Sequence, residues 1–175
     1  MKTHIELAHE IWRTHVDEGD TVIDATCGNG YDTRILAELT PSGHVFACDI
    51  QPEAIKKTKE QLKEFSHITY LERCHSSLPR VTPSLIVYNL GYLPGGDKSK
   101  TTMTKTTLKS LDSAIAVLKP GGMISITIYP GHPEGAKEAD AILSYIKRLD
   151  DWNCELHEPS ERPTAPKLLL LRQKI

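Results

Sequence analysis

Hydrophobic positions along the chain follow two periods, one typical of helices and one typical of buried strands. Ile5, Ala8, Trp12 and Val16 recur at helical spacing and predict a first helix. Short apolar and β-branched runs then alternate with further helical stripes. The runs that predict strands are 21–26, 45–50, 68–71, 85–88, 123–129, 154–158 and 167–171.

This alternation predicts the fold class. Continuous apolar strands separated by amphipathic helices are typical of a parallel sheet that is covered on both faces. The last two strands have no helix between them, which predicts an antiparallel C-terminal hairpin. We therefore expect a three-layer α/β sandwich with a mostly parallel, seven-stranded sheet, formed by a single domain over 1–175. Ligands of such sheets bind beyond the carboxyl ends of the strands.

Composition and charge narrow the function classes. Lys and Arg together number 21 against 23 Asp and Glu, a formal charge of −2. This balance excludes the mode of nucleic-acid binding in which overall positive charge supplies the affinity, although a local basic patch stays possible. No signal-peptide pattern or long apolar run occurs, so we expect a cytoplasmic protein without a membrane partner. The four cysteines are widely spaced, and no metal site is predicted.

A glycine turn follows the first predicted strand. Gly28 and Gly30 would let a ligand approach the backbone at a helix N-terminus. A dinucleotide site requires a third glycine where Thr33 stands. An S-adenosylmethionine site instead needs an acidic residue at the first strand end, which Asp24 provides, and Asp49 could bind a ribose in either class. Together, Asp24, the glycine turn and Asp49 favour S-adenosylmethionine over NAD as the ligand. The remaining alternative is that the two glycines only form a tight turn and bind no ligand.

A second loop, residues 89–98, follows the fourth predicted strand. Asn89 is placed like the first residue of the Asn/Asp-Pro-Pro-aromatic loop of amine-directed methyltransferases, although Leu90-Gly91 replaces the two prolines. In that loop the amide oxygen accepts hydrogens from the substrate NH₂ group. The alternative is a glycine-rich surface loop.

Basic and histidine-containing segments lie at the same expected sheet edge. Lysines at 98, 100 and 105 could hold RNA phosphates, or could form a solvated helix face. The segment 75–77 (His-Ser-Ser) follows the third strand, where adenine or methionine contacts are expected. His132 follows the fifth strand, beside Tyr129, as a substrate contact, a proton acceptor or a structural histidine.

Three segments in this order, 24–33, 89–98 and 129–132, resemble one small family over essentially the whole chain. It is the family of tRNA 5-aminomethyl-2-thiouridine methyltransferases (the MnmM-like enzymes), formerly grouped as rRNA methylases. The resemblance implies the Rossmann-like class I methyltransferase fold, S-adenosylmethionine as donor, and the aminomethyl group of a wobble uridine in tRNA as acceptor. The anticodon stem-loop would be the bound part of the tRNA.

The resemblance and the strand-end positions together predict the site. The expected cofactor-binding residues are Asp24, Cys27, Gly28, Asn29, Gly30, Asp32, Thr33, Asp49, Ile50, Gln51, His75, Ser76, Ser77 and Asn89. The expected catalytic residues are Asn89, Tyr92, Asp97 and His132. The expected substrate-binding residues are Tyr92, Lys98, Lys100, Lys105, Tyr129 and His132. The segment 162–166 resembles the closing loop of the family more loosely.

Other whole-chain interpretations stay open at this point. A methyltransferase acting on rRNA or on a small-molecule amine is the nearest alternative. A NAD-dependent oxidoreductase is disfavoured by Thr33, and a non-catalytic RNA-binding module would bind tRNA but not the cofactor. A homodimer that widens the basic surface is also an expectation.

Overall fold

The computed structural model describes residues 1–91 and 101–175, which form one seven-stranded sheet and five helices. The strands are β1 (Thr21–Asp24), β2 (His44–Asp49), β3 (Ile68–Glu72), β4 (Leu85–Asn89), β5 (Met123–Ile128), β6 (Trp152–His157) and β7 (Lys167–Gln173). The helices are α1 (His4–His15), α2 (Tyr31–Leu39), α3 (Pro52–Gln61), α4 (Thr104–Val117) and α5 (Pro133–Ile146).

The strand order is β3-β2-β1-β4-β5-β7-β6. The first five strands in this order pair in parallel, and β7 runs antiparallel between β5 and β6. The chain reverses its direction of travel along the sheet between β1 and β4, which is where open α/β sheets form their ligand crevice. The predicted fold, including the C-terminal antiparallel pair, is confirmed.

Adjacent strand residues divide the core into two layers. Val22 packs with Trp12 of α1 and Leu36 of α2 on one face, whereas Ile23 packs with Leu111 of α4 and others on the opposite face. Successive side chains of a strand point to opposite faces, so the apolar runs feed both layers. No helix in the two described ranges has the length and hydropathy that a membrane span needs.

Several element ends differ from the predicted ones by a few residues. The first strand ends at Asp24, because the amide of Thr26 turns back to the Asp24 carboxylate. The third helix ends at Gln61, so Phe65, which continues its apolar stripe in the sequence, lies beyond the helix. The shorter first strand leaves Thr26 just beyond its end, where it faces the crevice.

Candidate active site

A cavity of about 1270 Å³ lies at the carboxyl ends of β1, β2, β4 and β5. Single small-molecule sites usually occupy roughly 300–1,000 Å³, so this cavity has room for more than one small ligand. The predicted residues that line it are Cys27, Gly28, Asn29, Asp32, Asp49, Ile50, Gln51, His75, Asn89, Tyr129 and His132. The sequence-based expectation that these strand ends converge on one pocket therefore agrees with the structure.

The backbone of the glycine turn is tied to the end of β2. Gly28 donates its amide hydrogen to Oδ2 of Asp49 at 2.9 Å, and Gln51 donates to Oδ1 at 2.9 Å. Each carboxylate oxygen can accept more than one hydrogen bond, so Asp49 keeps acceptor capacity toward the cavity. Cys27 adds a backbone bond of 2.8 Å to the carbonyl of Cys48, and burial raises the pKa of its thiol.

Asp24 lies under the turn and is not among the residues that line the cavity. Its carboxylate accepts from the Thr33 hydroxyl at 2.7 Å and from the Thr26 amide at 3.2 Å. Complete burial, followed by the nearby Asp32 carboxylate, raises the pKa of Asp24 to about 7. The expectation that Asp24 and Thr33 contact the cofactor therefore needs correction, because both are fully buried against each other and support the turn from below.

Four further predicted residues also lie outside the cavity lining. Gly30 is at the N-terminus of α2 with a left-handed φ of +84°, packed against Thr58. Ser76 and Ser77 follow Cys74 in a turn, and only Cys74 and His75 of that segment reach the cavity. Lys105 is exposed on α4, one residue from the cavity-lining Thr106. Tyr92, Asp97, Lys98 and Lys100 lie outside the described residues.

Asn89 ends β4 at the centre of the cavity wall. Its amide hydrogen is donated to the Thr26 hydroxyl at 2.6 Å, which fixes the backbone of β4 to the turn after β1. Its side-chain Nδ2 lies 3.5 Å from Oδ2 of Asp32. Because a carboxylate only accepts hydrogen bonds, the Nδ2 end of the amide faces Asp32. The side chain of Asn89 also contacts the Tyr129 hydroxyl.

His132 caps α5 and also lines the cavity. Its Nδ1 accepts the backbone hydrogen of Gly135 at 3.3 Å. In the neutral ring the hydrogen then sits on Nε2, which makes that atom a donor. The Nδ1 lone pair of His132 is thus engaged by the helix cap, and the expected role of His132 as substrate contact or proton acceptor stays a prediction.

The base of the second loop is tied by a buried network. The Gly91 amide donates to the Thr102 hydroxyl at 2.8 Å, and this hydroxyl donates to Oε1 of Glu138 at 2.9 Å. Thr107 donates to Oε2 of Glu138 at 2.6 Å. Burial raises the pKa of Glu138. Sequence reasoning missed this carboxyl, since nothing in an amphipathic stripe marks one glutamate as buried.

Helix α1 supplies one cavity-lining residue and two histidines that contact cavity residues, and none of the three was predicted. Ile5 lines the cavity, His4 Nε2 lies 3.2 Å from the Tyr129 hydroxyl, and His9 Nε2 lies 2.8 Å from Oδ1 of Asp32. Burial is the main reason why the pKa of Tyr129 rises to about 12, so its phenol stays protonated at neutral pH. Other lining residues that sequence reasoning did not select include Tyr31, Cys74 and Met103; Thr164 and Pro166 belong to the loosely matched C-terminal segment.

Comparison with known proteins decides the family. Residues 45–173 match the family model described as "Putative rRNA methylase". The chain belongs to this family. A chloroplastic tRNA (mnm5s2U34)-methyltransferase of Arabidopsis thaliana is 39% identical over 97% of this chain and 69% of that protein.

Solved structures of similar proteins carry the same fold. A crystal structure from Clostridium thermocellum, assigned as an rRNA methylase, superposes with a TM-score of 0.94 at 33% identity and covers 99% of this chain and 98% of that one. A protein of Streptococcus mutans, assigned as a methyltransferase and solved in complex with SAH, gives a TM-score of 0.89 at 31% identity, with 99% of both chains covered. The fold of this family member is therefore the class I methyltransferase fold, as the sequence predicted.

Proposed function

We propose that this protein transfers a methyl group from S-adenosylmethionine to the aminomethyl nitrogen of a modified wobble uridine in tRNA. The proposal is that it converts 5-aminomethyl-2-thiouridine to 5-methylaminomethyl-2-thiouridine. The observation that carries it is the position of Asn89, whose amide borders the same cavity as the Asp49 carboxylate and the glycine turn. The Arabidopsis relative, named as a tRNA (mnm5s2U34)-methyltransferase, supports the choice of acceptor.

The cavity fits S-adenosylmethionine by the chemistry of its wall. Asp49 keeps free acceptor sites for a ribose, while Ile50 exposes an apolar side chain beside it and is 65% accessible. Gly28, with a left-handed φ of +53°, brings bare backbone to the wall. The cofactor, when bound, supplies an electrophilic methyl group on a sulfonium. The complex of the Streptococcus mutans relative with SAH supports this choice.

The acceptor amine must be neutral to react. An alkylamine resembles lysine, with a pKa of about 10.4, so exposing its lone pair at pH 7 costs roughly 4–5 kcal/mol. Ile5, Leu90 and Met103 line the cavity with apolar groups, and desolvation by them would lower the pKa of the amine. Asn89 Oδ1 would accept one N–H and turn the lone pair toward the methyl group. Such alignment can contribute about 7–11 kcal/mol in favourable cases.

The transfer forms an N–C bond as the S–C bond breaks. The nitrogen becomes a secondary ammonium, and the sulfonium becomes a neutral thioether. The proton of this ammonium can pass to water. Of the two expected acceptors, His132 directs Nδ1 at the helix cap, and Asp97 lies outside the described residues. No side chain of the described ranges is therefore assigned as the base.

Turnover and cofactor binding of an Asn89 variant test the proposal. Purified protein and labelled S-adenosylmethionine would be incubated with tRNA carrying 5-aminomethyl-2-thiouridine, with rRNA, and with free alkylamines, followed by nucleoside mass spectrometry. We expect methylation of the tRNA only. We expect Asn89→Ala to lose turnover while SAH affinity is retained, and Asn153→Ala, an exposed change on the edge strand β6, to behave as wild type. Full turnover by Asn89→Ala with unchanged SAH affinity would refute the role of Asn89.

The finer partner assignments are part of the same proposal. We propose that the anticodon stem-loop is the bound portion of the tRNA, that Lys105 and Lys109, exposed one turn apart on α4, contact its phosphates, and that the protein forms a homodimer. Protection of the stem-loop from nuclease and the molecular mass in solution test these points. The expected cytoplasmic location stays a prediction.

A further inference from the structure

Helix α1 reaches the active site through His9. The Nε2 atom of His9 lies 2.8 Å from Oδ1 of Asp32, and both side chains are largely shielded, with 15% and 17% exposed. Since a carboxylate only accepts, His9 donates in this pair. The Asp32 carboxylate is therefore held by a residue that lies 23 positions earlier in the chain and does not line the cavity.

The other oxygen of Asp32 faces Asn89. Asn89 Nδ2 lies 3.5 Å from Oδ2 of Asp32, a long hydrogen bond. Catalytic hydrogen bonds are often this long in structures without a ligand. One carboxylate thus joins the imidazole of α1 to the amide at the end of β4. The three side chains form a chain of polar contacts, His9–Asp32–Asn89.

The direction of the Asn89 amide decides what it can do for an amine. With Nδ2 toward Asp32, the amide oxygen is the atom that can accept an N–H of the acceptor. If the amide were turned by 180°, its NH₂ group would donate to the nitrogen lone pair and occupy the electrons that must attack. Asp32 selects the productive orientation, because an oxygen facing its carboxylate would place two acceptors together.

His9 is itself fixed by the packing of α1. Its ring lies 5.0 Å from the ring of Trp12, a side chain only 1% exposed in the core under α1. Thr3 and Glu6 form a capping box that secures the N-terminus of the helix. The helix therefore gives the imidazole a defined place from which to orient Asp32.

We propose that His9 is a positioning residue for methyl transfer: through Asp32 it fixes the amide of Asn89 in the orientation that accepts an N–H of the acceptor amine. This inference rests on the proposed function and adds α1 to the acceptor side of the site. His9 does not itself line the cavity, whereas Asp32 does, so the effect of His9 passes through its contact with Asp32.

The test compares three single variants under saturating S-adenosylmethionine and tRNA. His9→Leu removes the donor, and His9→Gln keeps an N–H donor near the same place. His15→Gln is the matched control, because it lies on the same helix and also loses an imidazole contact, 2.9 Å from the Ser84 carbonyl. The measurements are kcat, KM for tRNA, the Kd of SAH and Tm.

For His9→Leu we expect kcat to fall about 10- to 100-fold, as for other small losses of alignment, with Kd of SAH and KM for tRNA within about twofold of wild type. His9→Gln should regain a substantial part of kcat, and His15→Gln should keep wild-type kcat. A structural role alone predicts that kcat follows Tm in all three variants, and this result would overturn the inference.

Two other outcomes separate the inference from the proposed function. If the wild-type protein methylates the tRNA and His9→Leu keeps full kcat, or loses SAH affinity in parallel with kcat, the positioning role is wrong and the function stands. If the wild-type protein transfers no methyl group to tRNA carrying the aminomethyl uridine, the proposed function fails, and the inference that rests on it fails as well.

Discussion

Replacing Gly30 by alanine should destabilise the protein far more than the same change at Gly121. Both glycines have left-handed backbones, with φ of +84° and +78°. A Cβ at Gly30 would lie 2.7 Å from Thr58 Cγ2 and 2.9 Å from Oγ1, whereas a Cβ at Gly121 would meet nothing within 4 Å. The pair therefore separates backbone strain from steric overlap.

The magnitudes follow from these two terms. A left-handed backbone conformation destabilises the folded state of an alanine variant by roughly 1–2 kcal/mol. The lower conformational entropy of the unfolded alanine chain offsets about 0.4–1 kcal/mol of this loss. Gly121→Ala should then lower the free energy of unfolding by about 1 kcal/mol. Thr58 is fully buried and donates to the Gly28 carbonyl at 3.0 Å, so it cannot move aside freely. Overpacking adds about 1–3 kcal/mol, and Gly30→Ala should cost about 2–4 kcal/mol.

Urea unfolding, with the m-value fitted for each protein, measures both costs. A double variant isolates the overlap: in a Thr58→Ala background the Gly30→Ala cost should fall toward that of Gly121→Ala. Equal destabilisation by the two glycine changes in the wild-type background would refute the reasoning. So would an unchanged Gly30→Ala cost after Thr58 is truncated.

Three further predictions concern pH, the loop base and RNA contact. Burial lowers the pKa of His75 from 6.5 to about 4, so the unfolded chain binds more protons than the folded one between these pH values. The free energy of unfolding should therefore fall by about 3 kcal/mol as the pH drops from 6.5 to about 4. In urea unfolding at a series of pH values, His75→Phe should lose this part of the pH dependence. Thr102→Val removes a hydrogen-bond donor to the buried Glu138 and should lower the free energy of unfolding, measured in urea, by about 1–3 kcal/mol. The control Thr106→Val loses only an exposed hydrogen bond to a backbone carbonyl and should lower it by less than about 1 kcal/mol. Equal losses would contradict the role of the Glu138 network. Tyr31 is 75% exposed and lines the cavity, where an RNA base could stack on its ring. Tyr31→Ala should then weaken tRNA binding about tenfold or more in filter-binding assays. Tyr31→Phe, which keeps the ring, should bind tRNA as wild type does.

The fold was predictable because its strands are continuous apolar runs. The run 85–88 predicts a buried strand by composition alone, and the polar residue that follows, Asn89, marks the strand end at the crevice. Parallel strands bring their carboxyl ends to one edge, so Asp49 and Asn89 could be placed at one pocket before any coordinates.

The remainder depended on partners that are distant in sequence. Asp24 was expected to face a ligand, but Thr33 supplies a buried hydroxyl that turns the carboxylate inward. His9 lies on an ordinary amphipathic helix, and only the tertiary fold places it against Asp32. Glu138 likewise becomes a buried acceptor only once α4 docks on α5. The hydrophobic pattern of a sequence predicts which face of a helix or strand is apolar. It does not predict which polar side chains from different elements will contact each other.

The position of β7 has a consequence for how the protein is made. Residues 167–173 pair between β5 and β6. The backbone N–H and C=O groups along one edge of β5 therefore stay unpaired until this late part of the chain has left the ribosome. Strands β1 to β5 can pair while the chain is being synthesised, but the sheet is complete only after β7 has been synthesised. Nascent chains stalled before residue 167 should accordingly remain protease-sensitive and dependent on chaperones.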